Sequence, residues 1–415
     1  MIQTPFLSNK TFEYRMVAFI IFSMIFAERI VISVGGFQVP IILPITLLGI
    51  LLLSISNKIR INNLSFGLYL TASVSLLLIT LFQDSYSAFS IFYLLILYLP
   101  LIFQLESKDS VFFEKILLYL QSCTSIIAFI GIIQLLIQFI GAPYIDLLAF
   151  LPEKFVASGY NTTYPIFYGS QIMKTNGMFM LEPSTFSQFL SVAILIEFVY
   201  FKRFKYLLLY FSAILISLSG TGLLVVAIFG IFAFLKLGKK KVLGFSTVLI
   251  PLAIWFFNTD LGRVILSRTY ELTGSSTTNS GYIRFFAPFK ALSQYADGSI
   301  FAYLFGIGPG KADNLSLDFT ANFTPIPKLI IEYGFIGCFI FIIFFLWNIY
   351  RNKISLLIST ALLFMYLFLG GNLLQPHKIY LIFILLTLVP NKNRFRLKLN
   401  KQLVKKKNKK VKIVA

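Results

Sequence analysis

Apolar runs of roughly 17 to 25 residues recur from one end of this chain to the other, each long enough to cross a hydrocarbon core of about 30 Å as a helix. A membrane β-barrel would instead show short segments of alternating hydrophobicity. With 58% hydrophobic and 13% charged residues in 415, no water-soluble domain of this length could hide its apolar surface. The expected fold is therefore an all-α polytopic membrane protein of about twelve transmembrane helices, a single transmembrane domain over 1–390 followed by a basic tail over 391–415.

Expected spans run near 15–34, 39–56, 64–82, 88–105, 116–140, 184–201, 204–218, 221–236, 242–257, 326–348, 354–371 and 377–390. The connections that carry Lys58 and Arg60, Lys108 and Lys115, Lys202 to Lys205, Lys239 to Lys241, and Arg351 and Lys353 fall on alternate sides throughout. Lys and Arg mark the cytoplasmic side, so both termini are expected there. Two long non-apolar segments, about 142–183 and 258–325, then lie outside. They are rich in Gly, Pro, Asn, Ser, Thr and Tyr, and each is longer than a helix connection requires, the character of loops that cover a site.

The net charge of +20 does not point to nucleic acid, because the cations sit in short loops and in the tail, with no folded basic domain. The tail holds eleven Lys/Arg and no acid, and anionic lipid headgroups are its expected partner. Cys123 and Cys338 lie inside apolar runs and read as small core residues, with neither a disulfide framework nor metal-ligand spacing. The first apolar run lacks a small-residue cleavage site and is expected to remain as the first span. No Gly-rich phosphate cradle occurs in the inner loops, which excludes a cytoplasmic nucleotide-sugar site of that kind.

Ionisable residues near the outer ends of spans are functional candidates, since a charge in hydrocarbon costs several kcal/mol unless paired or wet. Glu28 and Arg29 close the first span, and a mutual or interhelical ion pair is their plainest role. Glu182 precedes Pro183, which places its carboxylate at a helix mouth as a cap or a substrate ligand. Glu332 lies in the outer part of the tenth span. His377, the only histidine, and Lys378 open the twelfth, whose apolar part is too short to cross unless one end dips into a wet, protein-lined cavity. The second outer loop concentrates Arg263, Arg268, Arg284, Lys290 and Lys311, suited to an anionic substrate such as a diphosphate. Gly306-Ile307-Gly308-Pro309-Gly310 offers backbone donors that could cradle an anion.

The stretch 284–337 resembles the O-antigen polymerase and ligase superfamily of bacterial envelope polysaccharide assembly. It carries Arg284, then Phe305-Gly306-Ile307-Gly308-Pro309-Gly310, then Glu332-Tyr333-Gly334-Phe335-Ile336-Gly337, in the order typical of that superfamily. Leu181-Glu182-Pro183-Ser184, the small-residue turn Ser217 to Gly222 and the late His377 add to the likeness. Two features depart from it: Gly220-Thr221 supplies no arginine in the small-residue turn, and Phe323-Thr324 stands where many members have His-Asn.

The resemblance implies a C-type glycosyltransferase fold in a bacterial cytoplasmic membrane, without metal or cofactor. It would transfer a glycan from undecaprenyl diphosphate to a hydroxyl of the next lipid-linked repeat, for O-antigen, capsule or exopolysaccharide. Its expected partners are that lipid-linked oligosaccharide, a flippase and chain-length regulators. Arg284 is assigned to the diphosphate, with Lys378, Arg268 or Arg263 assisting; Lys311 and Glu332 are further substrate-binding candidates. Glu182 or His377 would be the base. An O-antigen ligase would share the donor, and a lipid-linked oligosaccharide flippase would share the span count but would show repeated halves and midplane polar segments.

Overall fold

The computed structural model of the chain describes residues 8–34, 37–106, 110–167, 169–232, 239–259, 262–263, 280–296, 298–352, 354–370 and 372–389. Arg268, Lys353 and the basic tail lie outside the described residues. Helices dominate. They are α1 (Ser8–Phe26), α2 (Ile42–Ile55), α3 (Asn63–Leu81), α4 (Ala88–Tyr98), α5 (Ser110–Phe139), α6 (Pro183–Ile196), α7 (Phe204–Ser217) and α8 (Gly220–Val225). Next come α9 (Lys239–Phe257), the short α10 (Ser280–Phe285), α11 (Ala287–Ala291) and α12 (Ile300–Phe305), then α13 (Pro325–Tyr350), α14 (Leu356–Phe368) and α15 (Pro376–Ile382). Single π-turns extend α6 over Glu197–Phe201, α8 over Val226–Gly230 and α15 over Phe383–Thr387.

Among the described residues four helical stretches are long and apolar enough to cross a membrane: Asn63–Leu81, Val111–Phe139, Pro183–Phe201 and Pro325–Tyr350. Six shorter apolar helices accompany them. The outward stripes are apolar as well. Leu70, Val74, Leu78 and Leu81 line one side of α3, and Ile126, Phe129, Ile133 and Leu136 one side of α5, all exposed at helical spacing. A helix that is apolar on both its packed and its open face belongs in lipid. The protein is thus a helical membrane protein. Within it α6 is buried along nearly its whole length, and α15 along all of it, so these two form the centre around which α1, α5, α7, α8, α13 and α14 pack.

The first expected span ends earlier than its apolar run. Helix α1 stops at Phe26, and Val31–Val34 (β1) pairs antiparallel with Phe37–Pro40 (β2), Val31 opposite Pro40. β-branched residues alternating around a Gly-Gly pair favour a hairpin over a continued helix. A second small ladder, Ile59–Ile61 (β3) with Phe103–Leu105 (β4), lies at the opposite end of the bundle. There Arg351 donates to the carbonyls of Phe103 and Thr387, and Asn352 to those of Leu386 and Thr387, satisfying backbone that the π-turn of α15 leaves open.

Helix α13 is broken at Gly334, whose φ of 69° and ψ of −178° are open essentially to glycine alone. The break frees carbonyls that the Gly-rich turn after α12 satisfies: Ile307 N–H donates to Ile331 at 2.8 Å and Gly308 N–H to Glu332 at 3.1 Å. The Gln83 side-chain amide adds bonds to the carbonyls of Phe305 (2.7 Å) and Glu332 (3.0 Å). The fit is close enough that a Cβ on Gly334 would lie 2.1 Å from the Leu304 oxygen, and one on Gly306 2.5 Å from the Glu332 carbonyl carbon. This corrects the expectation that Gly306 to Gly310 cradles an anion, because the donors of Ile307 and Gly308 are spent on the broken helix. The small-residue turn before α8 is likewise a packing device: Gly222 lets α8 approach the Ser187 backbone of α6, where a Cβ would sit 2.3 Å from the carbonyl oxygen.

Candidate functional site

The segment between α5 and α6 is an ordered cover held by buried amides. From α5, Gln134 donates to the Ile145 carbonyl and accepts from Thr175 Oγ1 and Asn176 N–H, while Gln138 bonds both backbone groups of Met173. Asn176 accepts from Tyr144 Oη at 2.9 Å and donates to the Met180 carbonyl at 2.8 Å. From the turn after α1, Arg29 grips Asp146 through two parallel bonds of 2.7 and 2.8 Å, and its carbonyl accepts from Ala157 N–H. Arg29 therefore pairs with the cover and not with its neighbour Glu28.

Beneath that cover a carboxyl–imidazole contact and a carboxylate–guanidinium pair come together. Glu28 is buried, and its Oε1 lies 3.1 Å from His377 Nε2, at the first turn of α15. Its other oxygen accepts from Leu181 N–H at 3.3 Å. The Oε1 to Nε2 approach is off line for a hydrogen bond, so both atoms remain buried without a hydrogen-bond partner among the described residues. Next to Leu181, Glu182 takes the extended N-cap position before Pro183 and accepts from Ser184 Oγ (2.7 Å) and Asn161 N–H (3.2 Å). Arg284, the basic residue in the last turn of α10, places Nη2 3.9 Å from Glu182 Oε2. Lys378 is buried within electrostatic reach of Glu28, Glu182 and Arg284, so cations and carboxylates alternate through one cluster. Tyr160 of the cover stands beside them; burial, reinforced by the Glu28 and Glu182 carboxylates, pushes its hydroxyl above the usual tyrosine range and keeps it a donor.

Of the residues picked from sequence, Glu182, Arg284, His377 and Lys378 are thus brought together. Glu332 is not among them. It faces Lys328 at 3.9 Å on its own helix, and Lys328 in turn pairs with Asp313 from the Gly-rich turn. Lys311 is half-buried on that turn, with its backbone N–H on the Gly308 carbonyl, and Arg263 is exposed on the turn after α9. Arg268 lies outside the described residues. Glu28, whose plainest expected role was a mutual or interhelical ion pair, and Tyr160, which no motif marks, both belong to the cluster. For Glu28 the signal was present: a carboxylate at the end of an apolar run needs a partner.

A cavity of about 460 Å³ opens against the Glu28 and His377 pair and extends to the β1–β2 hairpin, the start of α4 and the Gly310 to Asn314 wall. Glu182, Arg284 and Lys378 do not line it. The cations of the cluster therefore lie outside the cavity wall that Glu28 and His377 form part of. No protein-family model matches the sequence, and no curated protein matches it.

Proposed function

We propose that the protein is a glycosyltransferase that polymerises lipid-linked oligosaccharide repeats, using undecaprenyl-diphosphate-linked donors on the outer face of a bacterial cytoplasmic membrane. Twelve spans with both termini inside would put the cover, the cluster and the cavity at that face. The observation that carries the reading is the convergence of a guanidinium, a buried lysine, two carboxyl groups and the only imidazole at one end of the bundle, from four separate chain segments. A transporter would put such groups near the midplane; these sit at helix mouths, which favours a surface reaction.

In this reading the acceptor hydroxyl oxygen attacks the anomeric carbon of the donor's reducing-end sugar as the bond from that carbon to the phosphate oxygen breaks. The bond's electron pair leaves with undecaprenyl diphosphate. Arg284 and Lys378 stabilise the charge that develops on the diphosphate, a role fixed cations perform best where water is excluded. The hydroxyl proton goes to the Glu28 and His377 pair, whose facing atoms have no hydrogen-bond partner among the described residues. Glu182 already accepts from Ser184 and Asn161 and faces Arg284, which suits it to positioning that guanidinium. The chemistry asks for no metal or cofactor, and the flippase and chain-length regulators of the pathway would be its partners.

The test replaces Arg284 by Ala and, separately, by Lys, confirms membrane abundance, and resolves the surface glycan by length. Single-repeat glycan only, at normal abundance, is expected for both, since removing one fixed charge-stabilising donor slows such reactions about a hundredfold or more. Long chains with the alanine variant would remove the diphosphate role. Loss of all surface glycan, single repeats included, would favour ligation or flipping.

A further inference from the structure

The cavity beside Glu28 and His377 has a lining unlike the cluster outside it. Phe37 of β2 stacks on Phe89 at 3.9 Å with the rings 11° from parallel, and Phe89 continues to Tyr93 at 5.7 Å and 15°. These three rings form a ladder along one wall, with Phe37 at its end 44% exposed. Gln38, Ser90, Asn314 and Gln375 line the same space, together with Glu28 and Asp313. Among the described residues no lysine or arginine lines it.

Three ligand chemistries can be weighed against that wall. An alkyl chain would set hydrocarbon against the polar side chains of Gln38, Asn314 and Gln375 and leave the buried Glu28 Oε1 and His377 Nε2 without a hydrogen-bond partner. A diphosphate would meet the Glu28 carboxyl, the Asp313 carboxylate that Lys328 already pairs, and no lysine or arginine among the described lining residues, while Arg284 and Lys378 lie outside the wall. A neutral saccharide satisfies both walls, with its C–H faces on the aromatic ladder and its hydroxyls on the amides and acids, and a cavity of this size falls within the range of small-ligand sites.

We propose that this cavity is the saccharide subsite for the acceptor, holding the sugar whose hydroxyl is to react against the unpartnered Glu28 Oε1 and His377 Nε2. The proposal rests on the polymerase reading for the identity of that sugar. It divides the site into a neutral sugar pocket and a cationic diphosphate region outside its wall, with the proton acceptor in that wall. Phe37, Phe89 and Tyr93 then determine which acceptor sugars are taken, and the β1–β2 hairpin forms one side of the entrance.

The probe is the repeat-unit oligosaccharide released from its lipid diphosphate by mild acid, titrated into the purified full chain by calorimetry, with saturation-transfer NMR reporting which sugar is held. Wild type should bind it, inorganic diphosphate should not displace it, and Phe37→Ala and Phe89→Ala should each weaken it about tenfold, while Phe89→Tyr retains binding. Phe37→Ala removes a partly exposed ring from a hairpin, so equal melting temperatures keep the comparison valid even if Phe89→Ala folds poorly. Unchanged binding in Phe37→Ala and Phe89→Ala, displacement by diphosphate, or no binding to wild type would overturn the subsite. Polymerisation of the intact lipid-linked repeat is measured in parallel. Ring-dependent binding without polymerisation keeps the subsite and removes the polymerase reading; polymerisation without ring-dependent binding does the reverse.

Discussion

Replacing Gly334 by alanine should cost this protein about 3 to 6 kcal/mol, worked from three contributions. Holding a residue with a Cβ at φ 69° and ψ −178° costs about 1 to 3 kcal/mol. The new Cβ would lie 2.1 Å from the Leu304 oxygen and 2.4 Å from the Phe305 nitrogen, both backbone atoms, so the Gly-rich turn must move away from α13. That movement breaks the bonds from Ile307 and Gly308 to the freed carbonyls, at about 1 kcal/mol or more each when the groups stay buried. Gly67 in α3 is the control. A Cβ there meets nothing within 4 Å, and alanine should stabilise that helix by about 0.5 to 1 kcal/mol. Melting of the purified proteins in detergent should therefore fall by several degrees for Gly334→Ala and not fall for Gly67→Ala. The joint also carries Gly310, Asp313 and Asn314 to the cavity wall, so oligosaccharide binding should weaken in Gly334→Ala well below its melting temperature. A Gly334→Ala protein that melts with wild type would refute the account of the joint as a strained lock.

The remaining expectations concern the cluster and its cover. Asp146→Ala leaves the buried Arg29 without its carboxylate and should cost about 3 kcal/mol, much of it recovered when Arg29→Met is added. Partial burial pushes the Asp146 carboxyl up, but the two Arg29 bonds and the Leu148 N–H outweigh it and hold it below the usual range. The clamp's contribution is then complete above a pH of about 4 and is lost as pH falls through the lowered folded value, so proteolysis of the 142–182 cover should stay flat from neutral pH and rise only in stronger acid. If Glu28 and His377 accept the proton as a unit, Glu28→Gln and His377→Asn should each slow polymerisation about a hundredfold, and the double variant should be no slower than the worse single one. Effects that multiply would show two independent roles.

What the sequence determined by itself is the part governed by local free energies. Hydrocarbon forces each apolar run to satisfy its own backbone, and the four long apolar stretches Asn63–Leu81, Val111–Phe139, Pro183–Phe201 and Pro325–Tyr350 are helices that begin and end within about five residues of the runs read from sequence. Pro183 and Pro376 mark where α6 and α15 begin for an equally local reason, since a proline at the first helical position gives up no bond. Glu182, Arg284, His377 and Lys378 were visible because charges next to hydrocarbon must be accounted for. Even the end of α1 at Phe26 had a local cause in the alternating hairpin residues after it, which apolar length alone concealed. Only the tertiary structure decided partners. Glu28 and His377 come from opposite ends of the chain, and nothing in either segment indicates that α1 and α15 meet. The Gly-rich turn and the Gly334 helix read as two motifs, and one as an anion cradle, until packing made them halves of one joint. The aromatic wall joins a hairpin to the start of α4, and its cavity is the space left between segments, set by how side chains pack and not by any one stretch of sequence.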